Sequence, residues 1–311
     1  MPMPERSLIE EVRRSVRRGR AGRMVRVGIG DDCAVVRLAK GHEALITTDF
    51  SLEGVHFRCD WHKPEVVGHR CLTRGLSDIA AMGGDPVAAF LSLALPAKLP
   101  QKWVDGFVKG LLALASEFDI PLAGGDTAQS PGGILADIVV MGSVPKGKAV
   151  LRSGARVGDA IYVTGTLGGS AAAIEALRRG ERVSRKDYPE HFRPMPRVQV
   201  GRILRERGLA SAMIDISDGL STDLGHICEE SGVGAEIEAE TIPVARHAGF
   251  ENALHGGDDY ELLFTSRGRV PAQIAGVAVT RIGRVVRGRK MALVQEGWRS
   301  ELRAKGWEHF G

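Results

Sequence analysis

Ile134-Leu135-Ala136-Asp137-Ile138-Val139-Val140-Met141 is a short, almost unbroken apolar run rich in β-branched residues, and it reads as a strand. Upstream, Phe90-Leu91-Ser92-Leu93-Ala94-Leu95 reads the same way, as does Ala44-Leu45-Ile46, which runs into the turn-prone Thr47-Thr48-Asp49. Between these runs, residues 64–82 and 101–117 carry helical periodicity, the second through Trp103, Phe107, Leu111 and Leu114. The alternation is α/β and leaves open whether the strands are parallel. Residues 142–158 are rich in Gly, Lys and Arg, and a new unit starts at Ala160-Ile161-Tyr162-Val163-Thr164-Gly165. A domain boundary near residue 150 follows, giving domains 1–150 and 151–311. In the second half, residues 170–179 and 220–230 read as helices. Residues 212–215, 235–237, 260–265, 277–286 and 291–294 read as strands. Each half mixes the two, an α+β composition, and no short-period repeat supports a solenoid.

The length of 311 residues favours two domains over one. A 43% hydrophobic and 26% charged composition excludes a wholly disordered or fibrous chain. The four cysteines, at 33, 59, 71 and 228, form neither a CxxC pair nor a dense disulfide framework, so a reducing, cytoplasmic setting is expected. No apolar run is long enough for a bilayer, and charges interrupt the N-terminal segment where a signal peptide needs its apolar stretch. That segment sets Leu8, Ile9, Val12 and Val16 near one helical face and Arg13, Arg14, Arg17 and Arg18 around the others. An amphipathic helix is the reading; a nucleic-acid arm is the alternative, and no nucleic-acid motif supports it.

The net charge is +4, yet acidic residues gather beside the apolar runs in Gly- or Ser-bearing turns. These are Gly28-Ile29-Gly30-Asp31-Asp32, Thr47-Thr48-Asp49, Ser77-Asp78, Gly124-Gly125-Asp126-Thr127, Asp215-Ile216-Ser217-Asp218-Gly219 and Gly256-Gly257-Asp258-Asp259-Tyr260-Glu261. A solvated loop explains any one of them. Brought together by folding, so many carboxylates would repel without counter-cations. Carboxylate, hydroxyl and water oxygens suit Mg²⁺, which proteins commonly hold jointly with substrate phosphates. The glycines permit close backbone approach and offer amide donors to phosphate oxygens. Nucleotide-phosphate chemistry is the reading, and a set of unrelated surface turns the alternative.

The common nucleotide and hydrolase signatures are missing. No GxxxxGK[ST] loop occurs, GIGDD lacks the later glycine of GxGxxG, and the HRD and DFG elements of protein kinases are absent. His56, His62 and His69 do not form HExxH, and Ser77, Ser130 and Ser217 lack a GxSxG elbow.

In these ordered acidic motifs, across residues 8–310, the chain resembles the thiamine-monophosphate kinase family, within the aminoimidazole-ribonucleotide synthetase-like superfamily. The resemblance implies a two-domain α/β (α+β) synthetase-like fold, with an N-terminal sheet that forms a dimeric barrel, and hence a homodimer. It implies phosphorylation of thiamine monophosphate by ATP, with several Mg²⁺ ions and in some members K⁺, and neither a nucleic-acid nor a membrane partner. By motif, Asp32 in GIGDD, the group Thr47, Thr48 and Asp49, and Asp78 in LSDIAAMG resemble metal ligands, with Asp78 bridging ions. Gly125 and Asp126 match GGDT, where the amide approaches ATP and the carboxylate holds metal. Asp215 and Asp218 of DISDG resemble metal ligands and Ser217 an ATP contact, while Arg152 in RSG resembles a phosphate-binding arginine. His56 in EGVHF, Asp258 and Trp307 resemble substrate contacts. The chain departs from the family pattern twice. Asp258 stands where the family has Glu in GGEDYEL, which shortens the carboxylate's reach, and residues 244–255 compress a connection that is longer in the family.

The resemblance implies direct, in-line phosphoryl transfer with no dedicated side-chain base, because the acceptor phosphate is already anionic. Another ATP-dependent synthetase of the superfamily and a non-enzymatic nucleotide-binding maturation protein are the alternatives.

Overall fold

The computed structural model describes residues 5–18, 24–27, 29 and 34–307. It divides into two compact units: Met1–Ile79 with Gly84–Gly147, and Ala80–Gly83 with Lys148–Gly311.

The first unit runs α1 (Glu5–Arg18), β1 (Val25–Val27), β2 (Val35–Val36), β3 (His42–Leu52), α2 (Pro64–Ala81), β4 (Asp85–Pro96), α3 (Gln101–Glu117), β5 (Leu122–Ser130) and β6 (Leu135–Pro145). Pro64 starts α2 where its fixed φ suits a first helical turn and its missing N–H costs nothing. In α3 the stripe Val104, Phe107, Leu111 and Leu114 is fully buried, and each such side chain contributes about 1.5–3 kcal/mol on leaving water. The two helices touch through glycine: a Cβ on Gly68 would lie 1.9 Å from the Phe107 carbonyl oxygen, and one on Gly110 1.9 Å from that of Glu65. Helix α2 also lies close on the sheet, since a Cβ on Gly75 would meet Val140 at 2.5 Å.

The sheet order is β3-β6-β4-β5, with β4 and β5 parallel and the other neighbours antiparallel. Its end strands β3 and β5 do not pair with each other, so the sheet is open and the expected barrel is not formed. Four strands of this length are too few to curl round a filled interior and close. Three stretches read as acidic turns are regular structure instead. Thr47-Thr48-Asp49 lies within β3, Asp78 within α2 and Gly124-Gly125-Asp126-Thr127 within β5. Ladder pairing with β6 and β4 outweighs the local turn preference of their Thr, Asp and Gly residues.

The second unit runs β7 (Ala160–Thr164), α4 (Gly169–Arg178), α5 (Pro189–Phe192), α6 (Val198–Glu206), β8 (Ala212–Asp215), α7 (Leu220–Ser231), β9 (Gly234–Glu238), α8 (Phe250–His255), β10 (Leu262–Ser266), β11 (Gln273–Ile274), β12 (Val277–Val286), β13 (Met291–Gln295) and β14 (Trp298–Leu302). Its sheet order is β14-β13-β9-β12-β7-β10-β8, with β11 on β12, and only β13 and β9 pair in parallel. Leu220, Leu224 and Ile227 recur at helical spacing along α7 and join Ile161, Val163, Ile214, Ile237 and Leu263 in one core. Gly232, at φ 66°, stops α7 in the left-handed conformation that favours glycine. Among the described residues, no helix is long and apolar enough to cross a membrane.

Candidate active site

In the first unit the alternation of β3 distributes the acidic group over both faces of the sheet. Leu45, Thr47, Asp49 and Ser51 point one way, and Ile46, Thr48 and Phe50 the other. On the helix-covered face the Thr47 hydroxyl donates to the Asp78 carboxylate, which tethers β3 to the last turns of α2. Asp49 shares that face, and its charge reaches the fully buried Cys71 thiol, which burial above all pushes up to about 12. On the opposite face the Thr48 hydroxyl donates to Asp137 Oδ1 at 2.8 Å. Ser92 of β4 pairs with Asp137 on one side and Asp126 on the other, so these residues share Thr48's face. Asp126 is exposed, its Oδ1 accepting the Thr127 N–H at 2.8 Å. Its neighbour Gly125, at φ 151°, lies so close to β4 that a Cβ would stand 1.8 Å from the Leu91 carbonyl oxygen. His56 caps the end of β3, its Nδ1 accepting the Leu52 N–H at 3.0 Å. Asp32 lies outside the described residues.

In the second unit the acidic residues stand in two loops laid backbone to backbone. Asp215 ends β8 and is buried. From there the Ile216 N–H donates to the Glu261 carbonyl, the Tyr260 N–H to that of Ile216 at 2.9 Å, and the Asp258 N–H to that of Ser217 at 2.8 Å. Glycine makes the approach possible: a Cβ on Gly257 would lie 2.4 Å from the Ser217 carbonyl oxygen, and one on Gly219, at φ 112°, 2.6 Å from that of His255. Asp258 and Tyr260 adopt positive φ, at 65° and 53°, and the tyrosine hydroxyl donates to the Asp258 carboxylate. Trp307 donates its N–H to the Asp218 carbonyl at 3.0 Å, which places the C-terminal aromatic beside DISDG. Arg152 is exposed and apart from these bonds; its carbonyl accepts from Ser231.

Further residues of this frame are given no role by motif, and Asp223 and His226 lie outside every motif. Asp223, in the first turn of α7, is buried and accepts the N–H groups of Asp218 and Gly219 at 3.1 and 3.0 Å. Its pKa is pushed up to about 7, first by burial and then by the Asp218 charge. Ligand atoms of Asp218, Asp223 and His226 lie within 4.8 Å of one another. The i, i+3 spacing of Asp223 and His226 on a helix that starts at DISDG is the signal that could have found them. Glu261 is buried and accepts from Thr164 Oγ1 and, through both oxygens, from the Arg197 guanidinium. Asp259 is buried, its two oxygens accepting the N–H of Gly168, just before α4, at 3.0 and 2.8 Å. Burial raises its pKa well above the usual carboxylate value.

Two sets of hard oxygen donors in Gly-rich frames are what a metal-assisted phosphate chemistry needs. Comparison with known proteins gives that chemistry a family. The N-terminal domain of AIR synthase related proteins matches residues 30–144, and the C-terminal domain residues 156–296. Thiamine-monophosphate kinase of Salmonella typhimurium is 39% identical over 308 residues, covering 92% of each chain. The crystal structure of thiamine-monophosphate kinase from Stenotrophomonas maltophilia superposes with a TM-score of 0.82 at 35% identity, over 94% of this chain and 96% of that one. A structure of AaThiL complexed with AMPPCP and TMP superposes with a TM-score of 0.78 at 32% identity, over 97% and 96% of the two chains. With its acidic loops in this order and likeness along nearly its whole length, the chain belongs to the thiamine-monophosphate kinase family, within the AIR synthase related proteins.

Proposed function

We propose that the chain phosphorylates thiamine monophosphate with ATP, giving thiamine diphosphate and ADP. The observation that carries this reading is the end-to-end likeness to thiamine-monophosphate kinases, and the two sets of oxygen donors supply the chemistry. A phosphate oxygen of thiamine monophosphate attacks the terminal phosphorus of ATP in line, and the bond to the bridging oxygen breaks as ADP leaves. The attacking oxygen is already anionic, so no side-chain base is required.

The donor set fits Mg²⁺. Thr47, Asp49 and Asp78 offer hydroxyl and carboxylate oxygens on the helix-covered face of the sheet, and Thr48 and Asp126 offer them on the other face, so the two groups would hold separate ions. Within the second unit Asp215 and Asp218 offer carboxylates of their own and Asp223 anchors the Asp218 loop, while Asp32 is a further ligand by motif. Bound Mg²⁺ would offset the repulsion between two phosphates and the charge on the transferred group, and K⁺ is a further candidate ion. Gly125, Asp126, Arg152 and Ser217 are assigned to ATP, and His56, Asp258 and Trp307 to thiamine monophosphate. The domain boundary near residue 150 separates an N-terminal synthetase-like domain, read as metal- and ATP-binding, from a C-terminal synthetase-like domain. A homodimer is supported by Ile46 and Phe50, which are 71% and 53% exposed on β3, the edge strand paired only with β6. A reducing cytoplasm suits the free thiols of Cys59, Cys71 and Cys228.

The test is one assay with ATP and Mg²⁺ and three acceptors: thiamine monophosphate, thiamine and formylglycinamidine ribonucleotide. Thiamine diphosphate is expected from the monophosphate alone. Turnover of the ribonucleotide would make the chain a synthetase, and nucleotide binding without turnover of any acceptor would make it a non-enzymatic nucleotide-binding protein.

A further inference from the structure

Beyond β14 the chain turns back and lies on the start of α7. The Lys305 N–H donates to Ser221 Oγ at 3.4 Å, the Gly306 N–H to Thr222 Oγ1 at 3.0 Å, and the Trp307 N–H to the Asp218 carbonyl at 3.0 Å. Ser221 Oγ in turn bonds His255 Nδ1 at 2.7 Å, and His255 leads directly into Gly256-Gly257-Asp258. The strap thus sits on the base of the Asp218 loop and is linked through Ser221 and His255 to that of the Asp258 loop. Gly306 is the point of closest approach: a Cβ there would lie 1.9 Å from the Asp218 carbonyl oxygen and 2.5 Å from Thr222 Oγ1. The first of these atoms is backbone and cannot swing aside, so any other residue would lift the strap. Trp307 is 51% exposed and so lies outside the hydrophobic core.

We propose that Gly306 and Thr222 form a latch, two positioning residues that hold Trp307 beside the Asp218 loop so that its ring meets the aromatic part of thiamine monophosphate. This rests on the substrate reading above and adds what sets the position of the substrate-side aromatic. The latch couples the two ends of the substrate, because the backbone that seats the ring is the backbone that carries the Asp218 carboxylate.

The test uses the full chain in five forms: wild type, T222V, T222S, G306A and W307A, with the double variant G306A/W307A closing a cycle. T222V removes one hydrogen-bond acceptor at nearly constant shape and is expected to raise KM for thiamine monophosphate about 3- to 10-fold. KM for ATP and Tm should stay at wild-type values, and T222S should restore the wild-type KM. G306A should raise the same KM by about 10-fold or more and add nothing on top of W307A. Amide hydrogen exchange supplies a readout independent of turnover: the Gly306 amide is protected in wild type and exchanges faster in T222V. An unchanged KM in T222V, an additive G306A/W307A, or an unprotected Gly306 amide would overturn the latch while leaving the kinase reading intact. A wild type that protects Gly306 yet never turns over thiamine monophosphate would sink the substrate reading, and with it the role given to the latch.

Discussion

The carboxylates of the first unit are carried by regular secondary structure, whereas in the second Asp218 and Asp258 stand in loops and Asp215 sits where β8 gives way to one. Asp49, Asp78 and Asp126 are fixed by the ladder of β3, the turns of α2 and the pairing of β5. Asp215, Asp218 and Asp258 are fixed by glycines that let two loops touch, by buried carboxylates that collect loop N–H groups, and by the Arg197–Glu261 pair. In the first unit the support is mainly backbone, with side-chain tethers from Thr47 to Asp78 and from Thr48 to Asp137, so an isosteric exchange that keeps an acceptor leaves it in place. In the second, the support is itself made of charged and polar groups, so function and stability are entangled.

The largest expected effect therefore falls on the second unit's frame. Glu261→Ala leaves the Arg197 charge without its buried partner and should cost about 3–5 kcal/mol. Urea unfolding measures it, and a loss below about 1 kcal/mol would mean that the loops hold without the pair. In the first unit, Asp78→Asn should lower kcat by about 100-fold or more with Tm unchanged, because α2 keeps its shape. Product formation at the wild-type rate by the purified variant at saturating Mg²⁺ would remove Asp78 from the site. Next comes Gly219→Ala, where a positive φ and a Cβ 2.6 Å from a carbonyl oxygen should cost about 1–3 kcal/mol of stability, read from the denaturation midpoint. If this variant is as stable as wild type, the loops are not packed as closely as described.

The smallest effect concerns Asp259, whose raised pKa means that the folded chain keeps a proton which the unfolded chain releases above about pH 4. Stability from this group is present at acid pH and falls as pH rises above that value. Asp259→Asn keeps an oxygen for the Gly168 N–H and should flatten the fall. Melting curves at pH 5 and pH 8 test this: a wild type and a variant with equal pH dependence would show that Asp259 is ionised in the folded chain.

The difference between the two units also explains what could be read from the chain itself. Apolar periodicity locates α2, α3, α7 and β12 closely, because burial of one face dominates their formation, and it finds the middle of β4 and most of β6, which run on to Asp85 and Pro145. It fails at Thr47-Thr48-Asp49 and at Gly124 to Thr127, where local composition suggests a turn and partner strands impose extension. The barrel expectation fails because closure depends on how many strands are available to curl and pair, which no local pattern encodes. The acidic motifs were legible as residue types. Which face Thr48 joins, and that Asp223, Asp259 and Glu261 are buried, depend on contacts between distant segments.

Strand β3 carries oxygen donors on both faces, so its alignment with β6 is a reading frame. A slip by one residue would present Ile46, Thr48 and Phe50 to Asp78 in place of Thr47 and Asp49, with the strand itself still able to form. Within β3 before Thr47, the length of the strand is therefore as constrained as its buried side chain Leu45. A single inserted residue there would do more damage than several substitutions at its exposed positions.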